Sequence, residues 1–210
     1  MKWTKIADTA LGKEAWEILD ASQCDYHNGW HVVRMYEYLD KTNEPYDEAL
    51  DWAVLFHDIV YDNHPDKEQR SAEKFVEMTK LHEGCDLDFF GKVEVVDMIY
   101  STTTHEVKAP HHSAIIRADL HGLTNPTDVL YNYMSIMEES MWLYKIDEQT
   151  FAENNIRFMG GNPLGGDDRG LYGRVEKNME TDPDHREFYK DVKRGIVSTI
   201  NLSRILRGDL

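Results

Sequence analysis

LDWAVLFHDIVYD, residues 50–62, sets a histidine and an aspartate inside an otherwise apolar run. At helical spacing Leu50, Ala53, Val54, His57 and Tyr61 share one stripe, Asp58 lies at its edge, and Asp62 follows one turn beyond Asp58. The pattern predicts a helix over residues 50–62 that carries an imidazole and a carboxylate toward the core. Burying such groups is unfavourable unless a partner, above all a cation, compensates the charge. A His-Asp dipeptide is expected by chance in a chain with 10 His and 39 Asp plus Glu. Its placement in an apolar stripe is what singles this one out.

On the N-terminal side, Asn28 and Gly29 mark a turn, and a helix begins near Trp30 or His31. His31, Met35 and Leu39, with Val32 beside them, form its inner stripe. His27 lies one turn earlier, placed either to approach the same face or to hydrogen-bond the turn. Asp47 or Asn43 can cap the 50–62 helix. On the C-terminal side, Asn63-His64-Pro65-Asp66 breaks that helix, because the residue before a proline avoids the helical region. Residues 68–81 restart one, with Ala72, Phe75, Val76 and Met78 or Thr79 inward and Glu68 and Arg70 in the first turn. Residues 87–103 give another, with Phe89, Phe90, Val93, Val96 and Ile99 or Tyr100 inward. The β-branched run from Thr102 to Thr104 and Pro110 then place a loop that holds His105, His111 and His112. The following helix aligns Ile115, Ile116, Asp119, Leu120 and Leu123. Three helices thus each present His or Asp on an apolar stripe.

Elsewhere the chain reads as helix and connection. Residues 9–20 form a first helix. Asn125-Pro126 opens a long one through about Gln149, whose Leu130, Met134, Met137 and Met141 read as core packing. Residues 159–173, MGGNPLGGDDRGLYG, contain six glycines and read as a surface loop, with a lid as the alternative; no phosphate-cradling G-x-x-x-x-G-K motif is present. Asp182-Pro183 opens a terminal helix with Phe188, Val192, Ile196 and Ile200 inward. Strand alternation does not outlast a few residues. The expectation is an all-α, helical bundle of about seven to eight helices in a single domain spanning residues 1–210.

The net charge of -16 over 210 residues disfavours nucleic-acid polymers, which bind to clustered Lys and Arg. It leaves room for a small phosphorylated ligand, since a bound metal ion inverts the local field. Cys24 and Cys85 form neither a C-x-x-C pair nor a disulfide framework, which fits a reducing compartment. The N-terminal stretch lacks an apolar signal core and no run reaches membrane-spanning length, so a soluble cytoplasmic protein is expected.

His31, His57, Asp58 and Asp119 together offer two imidazoles and two carboxylates, a donor set suited to Mn, Fe, Ni, Zn or Mg. These residues, with the strings YHNGWH, FHDIVYD, EQRSA and IRADL, resemble the HD superfamily of metal-dependent phosphohydrolases, and more closely a branch of small bacterial and phage HD proteins. The resemblance covers roughly residues 26–123, a core followed by a helical extension over 124–210. It implies that His31, His57, Asp58 and Asp119 ligate the metal. Related guanosine-tetraphosphate hydrolases carry a Glu-Asp pair after the HD aspartate; here Tyr61 and Asp62 stand there, which counts against that activity and leaves Asp62 as a base. Glu68 could replace or assist it. Arg70 is a candidate for phosphate, with a surface ion pair as its alternative, and His27 is a second substrate-side candidate. His105 is expected at substrate or water. One divalent ion is the first expectation; a second, held by His105, His111 and His112, is the alternative.

The function implied is hydrolysis of a phosphate mono- or diester of a nucleotide or related small molecule by a metal-activated water, in a protein free to form a homo-oligomer. The alternatives are a non-catalytic nucleotide or metal sensor and an acidic protein-interaction module.

Overall fold

The computed structural model describes residue 3 and residues 5–82, 84–161 and 170–209. Among the described residues the chain is all-α, with ten α-helices, three short 3₁₀ segments and no strand, somewhat more helices than the sequence pattern suggests. It divides into two compact units, one made of Met1–Thr103 and Ala109–Asp119 and the other of Thr104–Lys108 and Leu120–Leu210.

The first unit is organised around α3 (Glu48–Phe56). Asp47 caps this helix by accepting from the N–H groups of Ala49 and Leu50 at 2.8 and 3.1 Å. Every residue from Asp51 to Phe56 is fully buried, so α3 is apolar around most of its circumference rather than along one stripe. It packs against α1 (Ala10–Asp20), α2 (Gly29–Lys41) and α4 (Lys67–Leu81). Trp52, Phe56 and Phe75 stack across the α3–α4 contact, with Phe56 and Phe75 edge to face at 5.2 Å. α5 (Phe89–Thr104) and α6 (His112–Leu120) complete the unit as far as Asp119.

The second unit contains α7 (Pro126–Tyr144), α8 (Glu148–Gly160), α9 (Gly170–Thr181) and α10 (Arg186–Arg207). α10 packs against the other three. Its Gly195 lies against the backbone of Leu123, where an added Cβ would sit 2.0 Å from the Leu123 carbonyl oxygen, so only glycine allows this approach. Tyr133, Met137 and Phe151 form a core cluster. Ser203 binds both Tyr133 Oη and Asn155 Nδ2, keeping the polar groups beside it satisfied.

Four expectations need correction. The helix predicted over residues 50–62 stops at Phe56, and His57 and Asp58 lie in the turn that follows. Phe89, Phe90 and Val93 face outward, 73%, 77% and 49% exposed, and α5 instead buries Val95, Met98, Ile99 and Thr102. Apolar residues lie all around that helix, so two stripes competed and packing selected the i, i+3, i+4, i+7 set. The helix predicted from Pro126 to about Gln149 is two helices, because Lys145 takes the left-handed conformation after Tyr144 and Asp147 caps α8. Leu130 and Met134 of its expected core stripe are exposed, because α7 buries the neighbouring face of Val129, Tyr133 and Met137. The glycine-rich stretch is helical at both ends, Met159 and Gly160 closing α8 and Gly170 opening α9, while residues 162–169, where a lid would lie, are outside the described residues.

Asn178 on α9 is fully buried and accepts from Val107 N–H at 2.9 Å while donating to the His105 carbonyl at 2.7 Å. These bonds satisfy the backbone where His105 takes a positive φ of 53°. Replacing Asn178 with Ala strands both groups and should lower stability by about 2 kcal/mol or more, read as a reduced urea midpoint at unchanged slope.

Candidate metal centre

The centre is built at the end of α3. His57 donates its N–H to the Ala53 carbonyl at 2.9 Å, and its ring folds back so that Nδ1 lies 2.9 Å from the Val54 carbonyl. A carbonyl only accepts, so Nδ1 carries the proton and, in the neutral ring, Nε2 keeps its lone pair. Nε2 is buried and faces Asp58 Oδ2 at 3.0 Å.

The other donors arrive from α2 and α6. Asn28 caps α2 by accepting from Trp30 N–H, and His31 occupies the first turn, buried. Its Nε2 is 3.1 Å from Asp119 Oδ1 and 3.9 Å from Asp58 Oδ2. The imidazole rings of His31 and His57 are 5.3 Å apart. Donor nitrogens of His31 and His57 and a carboxylate oxygen of Asp119 all fall within 4.8 Å of one another. Neighbouring donors on one small divalent ion are about 3 Å apart, given metal–donor bonds of about 2.1 Å. The contacts of Asp58 with His57 and of His31 with Asp119 have that spacing. The donors fit a divalent ion by chemistry as well, since the mixed nitrogen and oxygen set suits it and the Val54 carbonyl turns His57 Nε2 toward Asp58.

Electrostatics agree with the geometry. Burial pulls the His31 imidazole down against the pull of Asp119, favouring the neutral form a ligand needs. Burial also acts on His57, but the adjacent Asp58 carboxylate, with Asp119 and the Val54 carbonyl, outweighs it and raises the imidazole to about 9. Burial opposes ionisation of Asp58, yet His57 and His27 hold its carboxyl well below the usual range. Without an ion, the proton on His57 serves as the counter-charge.

Residues that the sequence pattern did not single out fix these donors. Ser71 on α4 is fully buried; its hydroxyl accepts from Val60 N–H at 3.1 Å and reaches the Val60 carbonyl at 3.4 Å, pinning the turn after Asp58. Arg117, buried on α6, binds Glu44 at 2.9 Å and contacts Tyr38 and Ser113, which sets the register of the helix that carries Asp119. Neither contact was legible in the sequence, because Ser71 and Val60 stand 11 residues apart and Arg117 and Glu44 stand 73 apart.

The remaining sequence candidates lie as follows. His27 stacks on Tyr61, with centroids 3.7 Å apart and planes 11° apart, and Lys67 sits over the same Tyr61 ring. Asp62 pairs with Arg70 and accepts from His64 N–H at 2.9 Å. Glu68 is half-buried in the first turn of α4. His105 belongs to the second unit, within Thr104–Lys108. His111 and His112 converge on Asp97 of α5, and so belong to a different cluster from His31 and His57.

The raised His57 value gives two opposite pH dependences. Its folded pKa of about 9 exceeds the ordinary 6.5, so its stabilising contribution in metal-free protein is complete below about 6.5 and is lost as pH rises through about 9. Metal binding must displace the same proton, so affinity should rise about tenfold per pH unit over that window. Melting temperatures from about pH 6 to about pH 9 should therefore fall in chelator and show an increasing metal-induced gain in Mn²⁺, and His57→Gln should remove both trends. No family model, curated protein or solved structure matches the chain, so the functional reading stands on the donors of α2, α3 and α6 themselves.

Proposed function

We propose that this chain is a metal-dependent phosphohydrolase that cleaves a phosphate mono- or diester of a nucleotide or a related small molecule. The observation that carries the reading is the convergence of His31, His57 and Asp119, with His57 Nε2 oriented by the Val54 carbonyl and Asp58 Oδ2 3.0 Å from it. In this reading those four residues hold one divalent ion, drawn from Mn, Fe, Ni, Mg or Zn. Such an ion, when bound, supplies a Lewis acid that makes water nucleophilic near neutral pH and draws charge from a phosphoryl oxygen. Only the two carboxylates reach toward solvent, at 10% and 15% side-chain exposure against 1% for each histidine. Substrate therefore approaches from the Asp58 and Asp119 side.

Arg70 and Asp62 supply a coupled pair for phosphate binding and proton transfer. Slight burial raises the Asp62 carboxyl, but the His64 N–H and the Arg70 guanidinium outweigh it and hold the group below its usual range. While paired, Asp62 is a poor base. Both side chains are about two-fifths exposed, so their ion pair is weak and exchange of partners is inexpensive. When Arg70 turns to a substrate phosphate, which its planar guanidinium matches in two-point fashion, Asp62 loses its strongest cation and becomes more basic. Phosphate binding thus readies the proton acceptor. Glu68, in the same first turn, is the second acidic group available to the water. His27 against Tyr61 offers a flat aromatic platform next to Asp58 for the rest of the ligand.

Metal content and phosphate release from a panel of nucleotides test the reading together. Purified protein reconstituted with Mn²⁺ should hydrolyse at least one member. His57→Ala and Asp58→Ala should lose the metal and more than about a thousandfold in rate. Arg70→Ala should raise KM with a smaller effect on kcat, and Asp62→Asn should lower kcat. Metal that binds and is lost in the variants while the panel stays silent would move the assignment to a nucleotide or metal sensor. Protein that takes up none of the candidate ions would overturn the site.

A further inference from the structure

Where the chain passes from α5 into α6, a second group of donors converges. Glu94 and Asp97 lie one turn apart on α5, while His111 immediately precedes α6 and His112 is its first residue. The turn that delivers the two histidines is closed by backbone bonds from His112 N–H to the Ala109 carbonyl and from Ser113 N–H to the Pro110 carbonyl. Their rings meet edge to face at 4.5 Å, and both Nε2 atoms point at the same oxygen, Asp97 Oδ2, at 2.8 Å from His111 and 2.7 Å from His112. His111 Nδ1 faces Glu94 Oε1 at 3.8 Å.

We infer that Asp97, His111 and His112 form a separate transition-metal site, of the kind taken by Zn²⁺ and its borderline neighbours Ni²⁺ and Co²⁺. Two imidazole nitrogens and one carboxylate oxygen within 4.8 Å are a three-donor set that leaves an open position for water. Without an ion, one oxygen has to accept from two imidazole N–H groups at once; a divalent ion replaces those protons and uses all three lone pairs. The site is anchored on one side and open on the other. His112 is buried, whereas Asp97 is about half exposed and His111 about one-third. Asp97, His111 and Glu94 line a cleft of about 450 Å³ with Phe90, Val93 and Tyr100, which gives an ion its path from solvent. Glu94 Oε1, 3.8 Å from His111 Nδ1 and short of hydrogen-bond contact, is the nearby carboxylate that would take up the Nδ1 proton once the ring ligates an ion. The ion would clip α6, the helix that carries Asp119, to α5. Hard ions such as Mg²⁺ and Ca²⁺, which prefer an all-oxygen shell, are poor occupants.

Equilibrium dialysis of the full chain against Co²⁺ and Zn²⁺, followed by elemental analysis and by the visible absorption of bound Co²⁺, tests the inference. Asp97→Asn and His111→Gln change the two more exposed donors and leave buried His112 in place. Each should bind one ion fewer than wild type and lose the corresponding part of the Co²⁺ spectrum. Glu94→Gln should keep the ion but weaken it about ten- to hundredfold. Asp58→Asn separates this site from the centre at His57. It should leave untouched the ion lost in Asp97→Asn, whether wild type binds two ions or one. Equal binding by wild type, Asp97→Asn and His111→Gln would overturn the second site without bearing on the first; no Co²⁺ and Zn²⁺ bound by wild type would overturn the second site and remove Zn²⁺ from the ions open to the first.

Discussion

Two imidazoles and two carboxylates withdrawn from water at the end of a buried helix form the constraint on which the first unit depends. Isolated charges in such a place are strongly disfavoured, and the protein answers by pairing every one of them: His57 with Asp58, and His31 with Asp119. The pairing is short of complete, because two carboxylates face two imidazoles that would both have to be charged to balance them. Burial drives His31 toward neutrality while Asp58 keeps a proton on His57. A divalent ion would supply the missing positive charge and release that proton, which is the electrostatic basis of the proposed centre.

The surrounding structure is arranged to hold this cluster against its own repulsion. α3 is sealed by α1, α2 and α4 and by the Trp52, Phe56 and Phe75 aromatic group, so its last turn is rigid when it presents His57. Ser71 holds the turn after Asp58, and the Arg117–Glu44 pair holds the helix that brings Asp119. Neither acts on a ligand. Both fix where a donor stands, and precision of that kind is what separates a binding site from a collection of polar residues.

The two His and Asp clusters of the first unit differ in a way that bears on use. At His57 the histidines are almost wholly buried and the two carboxylates are the more accessible donors, with the His27 ring 5.9 Å from that of His31. At Asp97 the carboxylate and one histidine are open to solvent and only His112 is buried. In the proposed reading the first arrangement would isolate an ion with a ligand, and the second would let an ion tie two helices together. Among the described residues no helix is long and apolar enough to cross a membrane.

The all-α class followed from the sequence, because helical periodicity, caps at Asp47 and Asn125, and the absence of strand alternation are local properties. His31, His57 and Asp119 were legible for the same reason: a polar residue in an apolar stripe is conspicuous without any knowledge of its partners. Tertiary structure decided what periodicity leaves open. α3 ends at Phe56, and the Val60 N–H bonds the Ser71 hydroxyl of α4 in place of a carbonyl of its own helix; α5 turns Phe89 and Phe90 outward and buries its other apolar stripe; and Lys145 breaks the long helix without a glycine or proline to announce it. Arg117 and Glu44, Ser71 and Val60, and Asp97 with His111 and His112 stand 11 to 73 residues apart in the chain. Contacts of that range depend on how the helices assemble, which no local pattern encodes.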